Sequence, residues 1–329
     1  MFDTFYNLNG PPFQLTPDSR FFFGSAGHSR AISHLVYGLA QEEGFVVITG
    51  EVGAGKTTLV EQLWAQLDRA SYAMGRVVTT LVSGDDLLRL ALASLGVEDT
   101  AGDKAALLRR FEQAVRAHRA AGRRCLLVVD EAQNLPLGAL EELRMLSNVT
   151  IDGRASLQTI LLGQPQLRAM LASPELEQLR QRVLASYHLG PLSEAETRAY
   201  VEHRLRTAGW RGDPRWGDGA FAALFRHTSG LPRRINTLCA RVLLYGALEE
   251  AHAVTPQMVD ATAVELARDL SAGLPALSPP RGAAPDEAEN GLAGRVAALE
   301  AGLSRQGRTL RRLLDLVGAY AESIPDAEP

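Results

Sequence analysis

The segment Gly50-Glu51-Val52-Gly53-Ala54-Gly55-Lys56-Thr57 satisfies every defined position of the phosphate-loop pattern G-x-x-x-x-G-K-[ST]. It constrains the fold more than any other stretch, because the pattern works only between a strand and a helix. Both flanks meet that demand. Phe45-Val46-Val47-Ile48-Thr49 reads as a buried strand, and Thr58 to Leu67 reads as a helix. The glycines let backbone N–H groups converge on phosphate oxygens, and the helix dipole adds a favourable field. Residues 50–57, with Thr58 behind them, are therefore the expected phosphate contacts. Lys56 is expected to reach the β- and γ-phosphates and the Thr57 hydroxyl to ligate Mg²⁺. Of the 34 basic residues only two, Lys56 and Lys104, are lysines. A chain that otherwise uses arginine keeps a compact ammonium where a forked guanidinium does not fit.

A chain of 329 residues suggests two domains, or one large domain with an appendage. A net charge of −4 does not call for a nucleic-acid or anionic-membrane partner, although a local basic patch is compatible with it. Cys125 and Cys239 lack metal-ligand or disulfide spacing and read as small core residues in a reducing compartment. The N-terminus has neither a basic nor an apolar signal region, and no apolar run has the length to cross a bilayer. The expected location is cytoplasmic, with peripheral attachment to an inner membrane through a partner.

Residues 1–44 read as an irregular lead-in followed by a helix over Ser29 to Leu39. Residues 45–191 alternate apolar strands with helices. A strand is expected over Arg76 to Val82. Ser83 is expected to cap the next helix, with Asp85 and Asp86 in its first turn. A longer helix from Lys104 to Ala121 carries Leu108, Phe111 and Val115 on one face. Strands follow at Cys125 to Val129, Leu157 to Leu162 and Ala185 to Leu189. Strands apolar on both faces imply a parallel sheet covered on two sides. Residues 192–270 read as purely helical, with a capping box at Ser193 and Glu196 and later helices opening near Asp218, Pro232 and Pro256. Residues 271–291 have a linker composition. Residues 292–320 place Leu292, Val296, Leu299, Leu303, Gln306, Leu310, Leu313 and Val317 on a heptad seam, expected to self-associate or dock on an envelope or secretion-system protein, with folding back on the lid as the alternative.

The run Cys125-Leu126-Leu127-Val128-Val129-Asp130-Glu131 ends an apolar strand in two carboxylates. Asp130 is expected to hold Mg²⁺ through water, and Glu131 to orient or deprotonate the water that attacks the γ-phosphate. Gln164, after the strand that ends at Leu162, is the candidate γ-phosphate sensor, with Asn148 as the weaker alternative. Arg182 or Arg180, and Arg233, are arginines placed to stabilise charge on a transferred phosphoryl group.

Taken together these segments resemble AAA+ ATPases. The lead-in Pro12-Phe13-Gln14-Leu15-Thr16-Pro17-Asp18, the turn Leu162-Gly163-Gln164-Pro165, and Gly230-Leu231-Pro232-Arg233-Arg234-Ile235-Asn236 sharpen the likeness. The match is to the general secretion pathway protein A type, especially the ATPases of exosortase and exopolysaccharide loci. It covers roughly residues 1–268. The resemblance implies a P-loop αβα sandwich with strand order 5-1-4-3-2 and a helical lid. It further implies ATP with Mg²⁺ at the interface of a homo-oligomer. Arg180 or Arg182 would be the finger, Arg233 a lid sensor, and Pro12 and Phe13 would pack on adenine. Relatives that act on peptidoglycan carry a transmembrane helix and a periplasmic domain. These residues show neither, so direct action on the cell wall is not expected. The expected role is a conformational switch in assembling a secretion, exopolysaccharide or envelope sorting system. A DNA-binding ATPase of the transposition or replication-initiator type is the alternative.

Overall fold

The computed structural model describes residues 2–16, 18–78, 83–151 and 153–271. Residues up to Leu266 form one compact unit that holds sheet, lid and site. Its five long strands are β1 (Phe45–Gly50), β2 (Tyr72–Val78), β3 (Arg124–Asp130), β4 (Leu157–Gly163) and β5 (Val183–Leu189). All are parallel, in the spatial order β2-β3-β4-β1-β5. Read from the other edge this is the expected order 5-1-4-3-2. The architecture is the P-loop NTPase fold of AAA+ type. Strand order reverses beside β1, so the crevice for a ligand opens at the carboxyl end of that strand.

The side-chain period of two explains why the central runs of β1, β3 and β4 are largely apolar on both faces, whereas the edge strand β5 exposes Ser186 and His188. Val46, Ile48, Leu126, Val128, Ile160 and Leu162 face one layer, built by α1 (Ala26–Ala40) and α2 (Lys56–Gln66). Val47, Leu127, Val129, Leu157 and Leu161 face the other, built by α3 (Gly84–Ser94), α4 (Lys104–Ala120) and α5 (Leu137–Leu146). Each such burial stabilises the fold by about 1.5–3 kcal/mol, and a charge at any of these positions would be costly on either face. A short α6 (Gln166–Leu171) follows β4.

The lid comprises α7 (Glu194–Thr207), α8 (Asp218–Thr228), α9 (Pro232–Leu248) and α10 (Pro256–Ser271). The Ser193–Glu196 capping box forms as expected. The lid is not purely helical: Arg215–Trp216 pairs in parallel with Ala253–Val254. The lead-in is not a separate piece either. Tyr6, Leu8 and Phe13 are buried in the lid core with Tyr200, Phe221 and Leu243. Tyr6 donates its hydroxyl hydrogen to the Ala251 carbonyl at 2.9 Å.

Several boundaries move for local reasons. Helix α1 starts at Ala26, because the Ser25 hydroxyl accepts the His28 N–H and caps it three residues earlier than expected. Strand β2 begins at Tyr72, where alternating small and apolar residues continue the pleat. Leu107, not Leu108, joins Phe111 and Val115 on the buried stripe of α4. The Ser83 cap with Asp85 and Asp86 is found. Ser271 remains helical. The expected strand residues 79–82, the remaining linker 272–291 and the heptad segment 292–320 lie outside the described residues.

Candidate functional site

Gly50 ends β1 and α2 starts at Lys56, so the glycine loop spans the strand–helix junction its pattern requires. Gly53 and Gly55 take φ of +81° and +99°, backbone that side chains disfavour. Lys56 is buried, and its Nζ donates to the carbonyls of Gly50 at 2.7 Å and Glu51 at 3.0 Å. Burial lowers its pKa, while the charges of Glu131, Asp130 and Glu51 act the other way. The loop thus aims an ammonium along its own axis, at the end of a helix whose dipole also favours an anion.

The Thr57 hydroxyl donates to Asp130 Oδ2 at 2.9 Å. Asp130 is only 4% exposed, at the carboxyl end of β3. A hydroxyl and a carboxylate held together form a hard oxygen donor set that fits Mg²⁺. The same Oδ2 accepts from Arg76 of β2 at 2.9 Å, so a guanidinium offsets the buried carboxylate charge. Arg76 was not a sequence candidate. It comes there through the pairing of β2 with β3, which sets Val78 opposite Asp130.

Glu131 follows with φ of +52°, in the left-handed region of backbone space. Gln164 Nε2, from the turn after β4, donates to Glu131 Oε2 at 3.1 Å. Gln133 Nε2 donates to the same oxygen at 2.6 Å. Asn148 is exposed beyond the end of α5, its backbone N–H on the Met145 carbonyl at 3.0 Å.

A cavity of about 350 Å³ opens over this loop, with Val52, Gly53, Gly55, Lys56, Thr57, Thr58 and Glu131 in its wall. Phe13 is not in that wall. Its ring is 3% exposed within the lid core, and the Pro12 carbonyl accepts from Arg204 Nε at 2.5 Å. An apolar ring gains more there than at an open rim. The cavity side next to the lead-in is formed by Gln14, Leu15, Phe21, Phe22 and Phe23. His28 also lines it, with Nδ1 2.7 Å from the Ser25 hydroxyl and its pKa lowered by burial. No sequence pattern marked His28 as a site residue.

The lid closes the far wall. Pro232 opens α9, and the Arg233 backbone N–H donates to the Gly53 carbonyl at 3.2 Å. A Cβ on Gly53 would lie 2.3 Å from the Arg233 Cβ, so only glycine allows the lid helix this close to the loop. The two finger candidates differ. Arg182 Nη1 donates to the Ser147 hydroxyl at 3.1 Å, which ties it to the end of α5. Arg180 is exposed, with Glu177 3.8 Å away.

The family model described as an AAA domain matches residues 39–171. Over this span the chain is similar to an AAA domain. The span holds the glycine loop, Asp130, Glu131 and Gln164. Beyond the AAA domain, the similarity runs over most of the chain. General secretion pathway protein A of Aeromonas hydrophila is 37% identical over 270 residues, 81% of this chain and 48% of that protein. The chain therefore spans about half the length of this relative. Among solved structures, Cdc6p from Pyrobaculum aerophilum superposes with a TM-score of 0.61 at 15% identity, covering 79% of this chain and 75% of that one. The ADP form of Aeropyrum pernix ORC2 gives 0.59 at 17% identity, covering 77% and 72%. The Thermotoga maritima RuvB branch migration motor gives 0.52 at 16% identity, covering 78% and 73%. At these identities the likeness concerns the fold of the AAA domain and lid. No helix among the described residues is long and apolar enough to cross a membrane.

Proposed function

We propose that this protein binds and hydrolyses ATP, and uses the cycle to switch conformation while assembling a secretion, exopolysaccharide or envelope sorting system. One observation carries the reading: Lys56 and Thr57 at the loop–helix junction, and Asp130, Glu131 and Gln164 at the ends of β3 and β4, converge beside one cavity that the lid also walls. Lys56 and the loop N–H groups bind the phosphates. Thr57 and Asp130 hold Mg²⁺, which when bound neutralises charge on the β- and γ-phosphates. Glu131 accepts a proton from the attacking water or orients it, and Gln164 holds the acid and the γ-phosphate in one frame. Arg233, on the helix that touches Gly53, links nucleotide to lid on the same subunit.

The finger in this reading is Arg180 rather than Arg182. Arg180 is exposed and can reach a neighbouring subunit of a homo-oligomer, whereas Arg182 is spent on Ser147. The secretion role is supported by the relative from Aeromonas hydrophila. The association with exosortase loci and docking of a partner on residues 292–320 rest on the sequence resemblance and the heptad pattern.

The test compares wild type with Glu131→Gln. The variant keeps ATP affinity and loses turnover, because only water activation is removed. A pull-down with this variant then recovers an envelope or export component. Wild-type turnover in Glu131→Gln contradicts the assignment of the base.

A further inference from the structure

Gln133 has no place in the reaction described above, yet it touches both groups that do. Its Nε2 donates to Glu131 Oε2 at 2.6 Å, and its Oε1 accepts the Gln164 backbone N–H at 2.9 Å. Gln164 Nε2 closes the circuit on the same Glu131 oxygen at 3.1 Å. Two of these three hydrogen bonds join the turn after β3 to the turn after β4, and the Gln133 amide donates at one end and accepts at the other. Only a carboxamide can satisfy both ends. A carboxylate would keep the bond to the Gln164 N–H and place a second negative charge against Glu131.

The turn geometry makes this contact possible. The left-handed φ at Glu131 leads into a helical turn over Ala132–Asn134, which brings residue 133 back beside residue 131. Ala132 is fully buried and anchors that turn in the core, so the amide is presented from a fixed base. Bonds to an ionised acceptor are the stronger kind, and two amide donors on one oxygen hold the plane of the carboxylate.

We propose that Gln133 is a positioning residue that locks the Glu131 carboxylate and the Gln164 turn into one unit, so that base and sensor address the same γ-phosphate. This rests on the ATPase reading given above. Gln133 itself contacts neither nucleotide nor water in this scheme. Its loss misplaces Glu131 while the phosphate loop, which it does not touch, is unaffected. A misplacement near 1 Å lowers turnover on the order of 10²-fold.

The experiment uses the full chain as wild type, Gln133→Ala, Gln133→Glu and Glu131→Gln. It reads ATP turnover, affinity for a fluorescent ADP analogue, and melting temperature. The proposal expects Gln133→Ala and Gln133→Glu both to lose turnover on the order of 10²-fold, with affinity held within about twofold. Wild-type turnover in Gln133→Glu would show that only the brace on Gln164 matters and overturn the proposal. Parallel loss of turnover, affinity and melting temperature in both variants would also overturn it, by assigning Gln133 a purely structural role. If wild type shows no turnover sensitive to Glu131→Gln, the ATPase reading fails. The circuit is then read by nitrogen-labelled glutamine side-chain resonances. Glu131→Ala should move the Gln133 and Gln164 amide signals together, and unmoved signals contradict the proposal.

Discussion

Gly230→Ala is expected to damage the join between sheet and lid, and its magnitude follows from the structure. Gly230 has φ of +71° and stands between the end of α8 and the start of α9. A Cβ built there lies 2.0 Å from the Leu192 carbonyl oxygen and 2.9 Å from its carbon. Both are backbone atoms, so no rotamer change relieves the contact. The two segments must separate by more than an ångström, which breaks the Leu192 N–H bond to the Gly230 carbonyl at 2.9 Å. The left-handed backbone costs alanine roughly 1–2 kcal/mol. Loss of the hydrogen bond adds about 1 kcal/mol. The sum is roughly 2–3 kcal/mol before any repacking of Leu192. For a unit of this size it corresponds to a fall in Tm of roughly 4–12 °C. Thermal unfolding followed by circular dichroism at matched concentration measures it. Nucleotide affinity should weaken as well, because Arg233 lies three residues beyond and α9 abuts the phosphate loop. A Tm within about 2 °C of wild type would refute the reasoning, since it would mean the junction opens at little cost.

Two further outcomes are expected. Mixing Arg180→Ala with Lys56→Ala protein should restore some turnover, because an intact site on one subunit then faces an intact finger on another. Mixing Arg233→Ala with Lys56→Ala should not, and equal recovery in both mixtures would remove the distinction between trans and cis arginines. The second concerns pH. Burial lowers the His28 pKa, so the unfolded chain takes up the proton more readily than the folded one. The stability held by the neutral imidazole is complete above the unfolded value near 6.5 and is lost as pH falls from there through the lower folded value. Melting temperatures measured from about pH 7.5 down to about pH 5 should therefore fall more steeply for wild type than for His28→Asn. Equal slopes would contradict the assignment.

Most of what the sequence specified strongly is what the structure contains. Strands β1, β3 and β4 were legible because both faces are buried, so their runs are largely apolar, with only Gln158 and Thr159 breaking the run in β4. The phosphate loop and the acidic strand end were legible because the chemistry fixes residue type at fixed spacing. Gln164, proposed from its place after β4, donates to Glu131. What escaped depended on contacts remote in sequence. Phe13 looked like a base-stacking residue but packs with Tyr200 and Leu205 in the lid, a choice that nothing local encodes. Arg76 and His28 acquire their places only when β2 pairs with β3 and when α1 docks near the loop. Arg182 and Arg180 could not be separated by sequence, since the difference is a single hydroxyl on Ser147. Local capping chemistry also set boundaries that periodicity alone missed, as at Ser25.

The most direct measurement of the central claim is calorimetric titration of ATP into the full chain with Mg²⁺, for wild type and Lys56→Ala. The account predicts saturable binding at one site per chain in wild type. It predicts weakening in the variant by about tenfold or more, some 1.4 kcal/mol at least. No binding to wild type, or equal affinity in Lys56→Ala, would contradict the claim that the loop of residues 50–57 is a nucleotide site.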